Sequence, residues 1–414
     1  MTVRQHYWDT LRAFLMLLGI PYHVAMAYRP GQVWIVRSNE GIAAFTWLAD
    51  IIHYFRMPAF FVIAGYFSAL LLTRRAPVSW LKGRFIRLGV PFVATVLTLV
   101  PVMNLACEFS NLSYSDALSS FVWNSSHSGG YWVRHLWFII VLLYLSSAAA
   151  LLFRLRPRLR EAFVPLRLDE AIARHFVTAL AFVALVVGLW EAAAIELFYM
   201  AGLATNVPQQ IFRLDELITY TPYFLIGFAV QRAPRSLEKM CRPSLPITLL
   251  ALLFIGLSLT VAGSMHPAPG RLVTTIAAVT STQVLVAVAC TLLDRPVTIV
   301  RKFTEASYVL YLFHMPIICV LVWLAQDLAV PVALKGMTIM LLSLAFSYAG
   351  WLMVERSRLL SFLFNGMTGA SPLKRAEQAL EARQYGVRQQ PRIAETPQAS
   401  SPNVEYLHGD SLKP

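Results

Sequence analysis

Charged side chains are scarce in this chain of 414 residues: Asp, Glu, Lys and Arg together make up 14%, while 57% of residues are hydrophobic. A typical soluble domain carries about 25% charged and roughly 45–50% apolar residues. Too few polar side chains exist to coat a globule of this size, and the mean hydropathy of +0.59 agrees. An ordinary soluble enzyme and a disordered chain are both excluded, which leaves an integral membrane protein. Cysteine is sparse too. Cys107, Cys241, Cys290 and Cys319 lie far apart without a CxxC pair, so no disulfide framework and no metal site is expected, only neutral packing. Acidic residues are the scarcer sign, 22 against 35 basic, for a net charge of +13. In a soluble protein that excess would point to nucleic acid. In a membrane protein its distribution among loops sets orientation, and no nucleic-acid partner is expected.

A span needs about 20 mostly apolar residues. Ten candidates meet this: Trp8–Tyr28, Phe45–Thr73, Leu88–Cys107, His135–Phe153, Phe176–Phe198, Leu217–Gln231, Leu245–Gly263, Leu272–Leu293, Ala306–Ala325 and Val332–Val354. The first carries Asp9 and Arg12 and lacks a small-residue cleavage site, so it is expected to be retained rather than removed as a signal peptide. The even-numbered connections hold eighteen Lys and Arg residues, the odd-numbered ones only Arg29, Arg37, Arg134, Arg213 and Arg271. By the positive-inside rule, the even loops and both termini are expected to be cytoplasmic. The expected architecture is therefore an all-α polytopic membrane protein, with a membrane domain over residues 1–358. Residues 359–414 form a polar cytoplasmic tail, largely disordered, with a short surface helix over Lys374–Arg383 at most. No internal repeat stands out.

Ionisable groups inside spans are costly, and persist where they face a partner or a polar cavity. Arg12 and His23 are eleven residues apart, about three helical turns or ~16 Å, which puts them on nearly the same face. Pro21 is expected to kink this helix. Snorkelling by Arg12 and a hydrogen-bonded interior histidine are the bland alternatives. In D50-I-I-H-Y-F-R56, Asp50, His53 and Arg56 form a polar stripe on one face, with Asp50 near the depth of His23. There a carboxylate would orient an imidazole, and Arg56 would neutralise it. A structural ion-pair network joining the first two helices is the alternative. Gly65 permits close helix approach. Arg84 and Arg87 lie in a basic run that serves either topology and anionic lipid or a phosphorylated ligand. Glu191, Glu196 and Lys335 are pore-lining or simply paired. Ser307, Tyr311 and His314 share a face that packing would explain. Tyr131 and Trp132 suit either sugar stacking or interfacial anchoring.

The stretches R12-A-F-L-M-L-L-G-I-P-Y-H23, D50-I-I-H-Y-F-R56-M through G65-Y-F-S68, H135-L-W-F138 and L359-L-S-F-L-F-N-G366, with Arg84, Arg87 and Pro91, resemble the acyltransferase-3 family of membrane proteins. The resemblance runs from the first span to just past the tenth. It implies an inner-membrane enzyme that moves an acyl group, succinyl above others, from cytoplasmic acyl-CoA to glucose hydroxyls of osmoregulated periplasmic glucans. The donor would be a substrate, with no tightly bound cofactor, and the partners would be the glucan, the lipid bilayer and the glucan-synthesis machinery. The family often has Ser before the glycine of the second-span motif, where this chain has Ala64, so a hydroxyl there is not essential here.

On this footing His23 is expected to act as general base or as a transient acyl carrier, with Asp50 orienting its imidazole. Arg56 or Arg12 would stabilise the oxyanion. Arg84, Arg87, His53 and Asp9 are the expected substrate-binding set. The competing class is a transporter or flippase for an anionic solute or acyl donor; a structural partner of a glucan-synthesis assembly is the third.

Overall fold

The computed structural model describes residues 6–31, 34–36, 38–203, 207–260, 266–295 and 297–367, and every regular element among them is helical. Arg37 and the helix expected over Lys374–Arg383 lie outside the described residues. The first apolar run folds as α1 (His6–Leu17) and α2 (Gly19–Ala27). Pro21 has no N–H to give the carbonyl of Leu17, so the ladder loses a rung there, and the run breaks at Leu18. α3 (Ala43–Arg74) continues for 32 residues with Pro58 inside it. α4 (Pro77–Arg84) passes through a π-helical turn, Phe85–Gly89, into α5 (Val90–Asn111). Then come α6 (Tyr114–His127), α7 (Gly130–Val133), α8 (Trp137–Leu155), the amphipathic α9 (Leu166–Arg174), α10 (Phe176–Met200) and α11 (Val207–Phe212). The remainder are α12 (Leu214–Val230), α13 (Pro234–Met240), α14 (Leu245–Thr260), α15 (Pro267–Leu292), α16 (Thr298–Leu324), α17 (Val332–Arg356) and α18 (Arg358–Asn365).

Eight described helical segments are long and apolar enough to cross a bilayer, or nine if α13 and α14, which meet at 65°, are taken as one bent span. The difference from ten lies in α12 and α14. At 17 and 16 residues they rise only ~26 and ~24 Å, less than a hydrocarbon core of about 30 Å. The chain is an all-α, multi-pass membrane protein.

α3 packs against α12, α15 and α2, and α16 against α17, α5 and α1. Gly65 on α3 and Gly227 on α12 make the closest crossing. A Cβ at Gly65 would overlap the carbonyl oxygen of Phe224, and one at Gly227 would overlap that of Val62. Each glycine admits the other helix's backbone, as small residues do where transmembrane helices meet. Phe60 and Phe61, just before Gly65, meet Phe138 edge-on with centroids 4.7 and 5.3 Å apart. The aromatic motif and the HLWF motif are thus one packing unit.

Several sequence expectations are corrected here. The first residues of the expected tail are helical: Arg358–Asn365 is α18, packed on α17 and α5 and closed by Gly366 in the left-handed conformation (φ 59°). A Cβ at Gly366 would overlap the backbone of Arg87, so α18 seats directly on the π turn. Cys241 and Cys290 are not neutral packing: they form a disulfide, with Cα atoms 5.5 Å apart, where the end of α13 meets the last turns of α15. For Glu196 and Lys335 the pairing alternative holds, with Arg271 at 2.8 Å and Glu40 at 3.0 Å. Tyr131 is buried and donates to Glu108 at 2.9 Å, so its ring is not open for stacking, and Trp132 Nε1 donates to the Ser125 carbonyl.

The basic connection after α12 makes specific structural contacts. Arg232 is buried and donates to the carbonyls of Leu159 and Ala162. Asp169 on α9 accepts from the backbone N–H groups of Arg235 and Ser236 at 2.9 Å and from the Ser236 hydroxyl at 2.6 Å, capping α13. Burial pushes this carboxyl up, but the Ser236 hydroxyl and the two N–H groups outweigh it and hold it below the usual carboxylate range. Asp169→Asn is expected to cost about 1 kcal/mol at neutral pH, read as a lower melting temperature in detergent. A folded-state value below the unfolded one gives stability that is full above about pH 4 and fades as pH falls through the folded value. Wild type and variant should therefore converge in acid. A constant gap down to about pH 3 would overturn the cap.

Candidate active site

The break at Leu18 opens a polar crevice between α2, α3 and α16. His23 on α2 is half-buried. Its ring stacks on Trp34 at 5.4 Å and lies 5.2 Å from His314 on α16, with Tyr22 edge-on beside it. Its Nδ1 is buried and lacks a hydrogen-bond partner. His314 is 1% exposed, and its Nδ1 lies 2.7 Å from the carbonyl oxygen of Tyr311 and 3.1 Å from that of Leu310. Carbonyls only accept, so Nδ1 carries the proton, and a neutral ring presents its Nε2 lone pair to the crevice. That Nε2 has no partner either. A Cβ at Gly19 would stand 2.9 Å from Arg56 Nη1 and 3.2 Å from His314 Nε2. The absence of a Cβ at Gly19 leaves room for guanidinium and imidazole to reach the break together.

Arg56 reaches there from α3. Its guanidinium lies over the Tyr22 ring at 4.7 Å, and its Nε is buried without a partner. His53 is exposed to the crevice, with Nδ1 3.4 Å from the Tyr22 hydroxyl. Tyr311 and His135 close one side: the Tyr311 hydroxyl donates to the His135 carbonyl at 2.7 Å, and the His135 ring is 5.8 Å from that of His314. Unpartnered polar atoms on His23, Arg56 and His314 converge on one place. Buried polar groups in folded proteins usually have partners, and a cluster of unpartnered ones can receive the polar atoms of a ligand.

Asp50 does not take the role expected of it. Arg29, just past α2, holds it through two bonds of 2.6 and 3.2 Å. The antiparallel register of α2 and α3 explains why. Arg29 faces Asp50 while Tyr22 faces His53 and Arg56, so the level of His23 falls about one turn further along α3 than Asp50. Arg56 is correspondingly not the partner of Asp50, and the structural ion pair joining the helices is Asp50–Arg29.

At the other end of α1, Arg12, Arg84 and Arg87 gather. Arg12 is 3.8 Å from Asp9, and both Arg12 and Arg87 lie within electrostatic range of Arg84. Arg84 sits 5.6 Å from the Trp80 ring with its Nε buried and unpartnered. Arg87 lies in the π turn, a geometry frequent at functional sites. Tyr308 of α16 faces the two arginines and donates to the Leu88 carbonyl. Asp9 itself lines a cavity of about 220 Å³ with His6, Arg295, Arg301 and Glu305, and its carbonyl accepts from Thr304. Three guanidiniums together suit an anion with several oxygens, such as a phosphate.

One face of α16 therefore joins the two ends. Tyr308, Tyr311 and His314 follow at three-residue steps, from the arginine cluster to the imidazole pair. The sequence reading of that face as packing missed this, and it missed Trp34, His135 and Gly19; the recurrence of His and Tyr at helical spacing was the available signal. Among the described residues no group of three or more His, Cys, Asp or Glu is placed to hold a metal ion.

Residues 5–354 match the family model described as an acyltransferase domain, that of the acyltransferase-3 family. The chain is 28% identical over 335 residues to glucans biosynthesis protein C of Escherichia coli strain K12, an alignment covering 76% of this chain and 82% of that relative. The proteins of that name from E. coli O139:H28 (strain E24377A / ETEC) and strain SMS-3-5 are similar to the same extent. No solved structure matches the chain.

Proposed function

The chain belongs to the acyltransferase-3 family, and from that membership and the crevice we propose that it transfers a succinyl group from cytoplasmic acyl-CoA to glucose hydroxyls of an osmoregulated periplasmic glucan. The observation that carries the reading is the polar axis itself: a guanidinium cluster at one end of the Tyr308–Tyr311–His314 face and unpartnered imidazole nitrogens at the other suit a long donor with phosphates at its head and a thioester at its tip. The basic loops argue for the bacterial inner membrane with both termini cytoplasmic, the arginine end inward.

In this reading Arg84, Arg87 and Arg12 hold the donor phosphates, with Asp9 fixing Arg12. His23 accepts the proton of a sugar hydroxyl as that oxygen bonds to the thioester carbonyl carbon. Arg56 faces the oxyanion that forms. When the tetrahedral centre collapses, the carbon–sulfur bond breaks, and the thiolate takes the proton back from the imidazolium. His314, its Nδ1–H tied to backbone, supports the same proton transfer through Nε2. The donor is consumed as a substrate, and His53 stands on the acceptor side.

Full-length protein in lipid nanodiscs, supplied with succinyl-CoA and unsubstituted glucan from cells lacking this chain, is expected to add whole succinyl increments by mass spectrometry and to release coenzyme A in equal number. In those cells the glucan should keep its amount and lose its acidic substituents. Normal substituents on a glucan trapped inside the cell would instead support the transporter reading.

A further inference from the structure

Beside the crevice, on the other flank of α3, lies a second polar space with no assigned role. It is a cavity of about 120 Å³ between α3, α10, α12 and α15, lined by His53, Glu191, Thr219, Tyr220, Tyr223 and Thr275 among others. Glu191 is the unusual member. It is only 7% exposed, its Oε2 accepts from the Thr275 hydroxyl at 3.0 Å, and the Tyr223 hydroxyl also interacts with the carboxyl, while Oε1 is buried and makes no hydrogen bond of normal geometry. A buried carboxylate oxygen left without a donor is costly, so the site is completed by something that brings one. Glu196, one turn on, already has Arg271, which shows that α10 can pair its acid when pairing is the purpose.

The walls say what kind of donor fits. Tyr220 and Tyr223 are buried and line the space, the Tyr220 ring being stacked on Phe61 and Trp137, and Thr219 and Thr275 add hydroxyls. A carboxylate among tyrosine and threonine hydroxyls suits a ligand that carries several O–H groups on one edge. The cavity adjoins the reacting centre through His53. His53 lines it while bonding Tyr22, the neighbour of His23, and Tyr220 lies within electrostatic range of both Tyr22 and Arg56.

We infer that this cavity is the acceptor subsite, in which Glu191 Oε1 accepts a hydrogen bond from a hydroxyl of the sugar unit next to the one acylated at His23. The inference rests on the proposed transfer to a glucan. At about 120 Å³ the space admits one edge of a sugar ring and not a length of chain, so the subsite sets which hydroxyl approaches the imidazole rather than the length of glucan bound. Tyr22 and His53 form the threshold between the two spaces.

The test is equilibrium binding of unsubstituted glucan to full-length protein in nanodiscs, which needs no turnover. Glu191→Gln replaces one carboxylate oxygen by a second donor and is expected to weaken glucan binding about tenfold. Thr275→Val keeps the shape, removes the hydroxyl that orients the carboxylate, and is expected to weaken it about threefold. Binding within twofold of wild type in both folded variants, or no glucan binding by wild type, overturns the subsite. Glucan binding that falls in the variants, alongside wild-type protein that transfers no succinyl group, keeps the subsite and removes the transfer reading.

Discussion

Alanine at position 23 is expected to lower acyl transfer by about 10²–10⁴-fold, the range a positioned general base supplies. The protein should still insert at normal abundance. The ring of His23 is half-buried against Trp34 and His314, and its Nδ1 makes no hydrogen bond that the fold would lose. Removing it costs packing against two rings but leaves no broken network, so activity and stability should separate. Measuring succinyl transfer beside the amount of folded protein in the membrane decides the matter. Full transfer by an abundant His23→Ala protein would sink the mechanism and leave His314 as the base.

Gly65→Ala makes the opposite separation: loss of the folded protein with no change in any reacting group. The added methyl would occupy the place of the Phe224 carbonyl oxygen. That atom is backbone inside α12, so no side-chain rotation clears it, and α3 and α12 must move apart. Because Gly227 sits against Val62 at the same crossing, both close approaches open together. Overpacking of this kind costs typically 1–3 kcal/mol, and more where backbone must shift. The expected result is a large fall in the melting temperature in detergent, or absence from the membrane. Gly83→Ala is the control, since nothing lies near a Cβ there. Equal melting of Gly65→Ala and wild type would mean that the two helices do not cross at this point.

Composition alone made the membrane class legible, because no soluble packing can hide so much apolar surface. The long spans were equally plain, since their apolar runs exceed the bilayer. α12 and α14 were read only to within a few residues: at 17 and 16 residues their apolar runs shade into the neighbouring short helices. Arg12, His23 and Arg56 stood out as charges where lipid should be. Asp50 misled for a definite reason. Its place on the α3 stripe followed from helical spacing, but its partner depended on how α2 and α3 register, and the segment joining them hides that offset. Trp34 was out of reach on the same ground. His314 and Glu191 each looked like one more buried polar residue, because an unsatisfied atom exists only relative to neighbours from other helices.

The wide turn at Phe85–Gly89 holds one residue more than an α-helix would need. Each residue in an α-helix turns the chain by about 100°, so the two sides of this turn keep separate phases. Arg84 and the helix before it are clocked to the anion cluster, while Val90 onward is clocked to the lipid and to α16. A single-residue deletion within the turn would put the two halves in step and swing the arginines about a quarter of a revolution away from Tyr308.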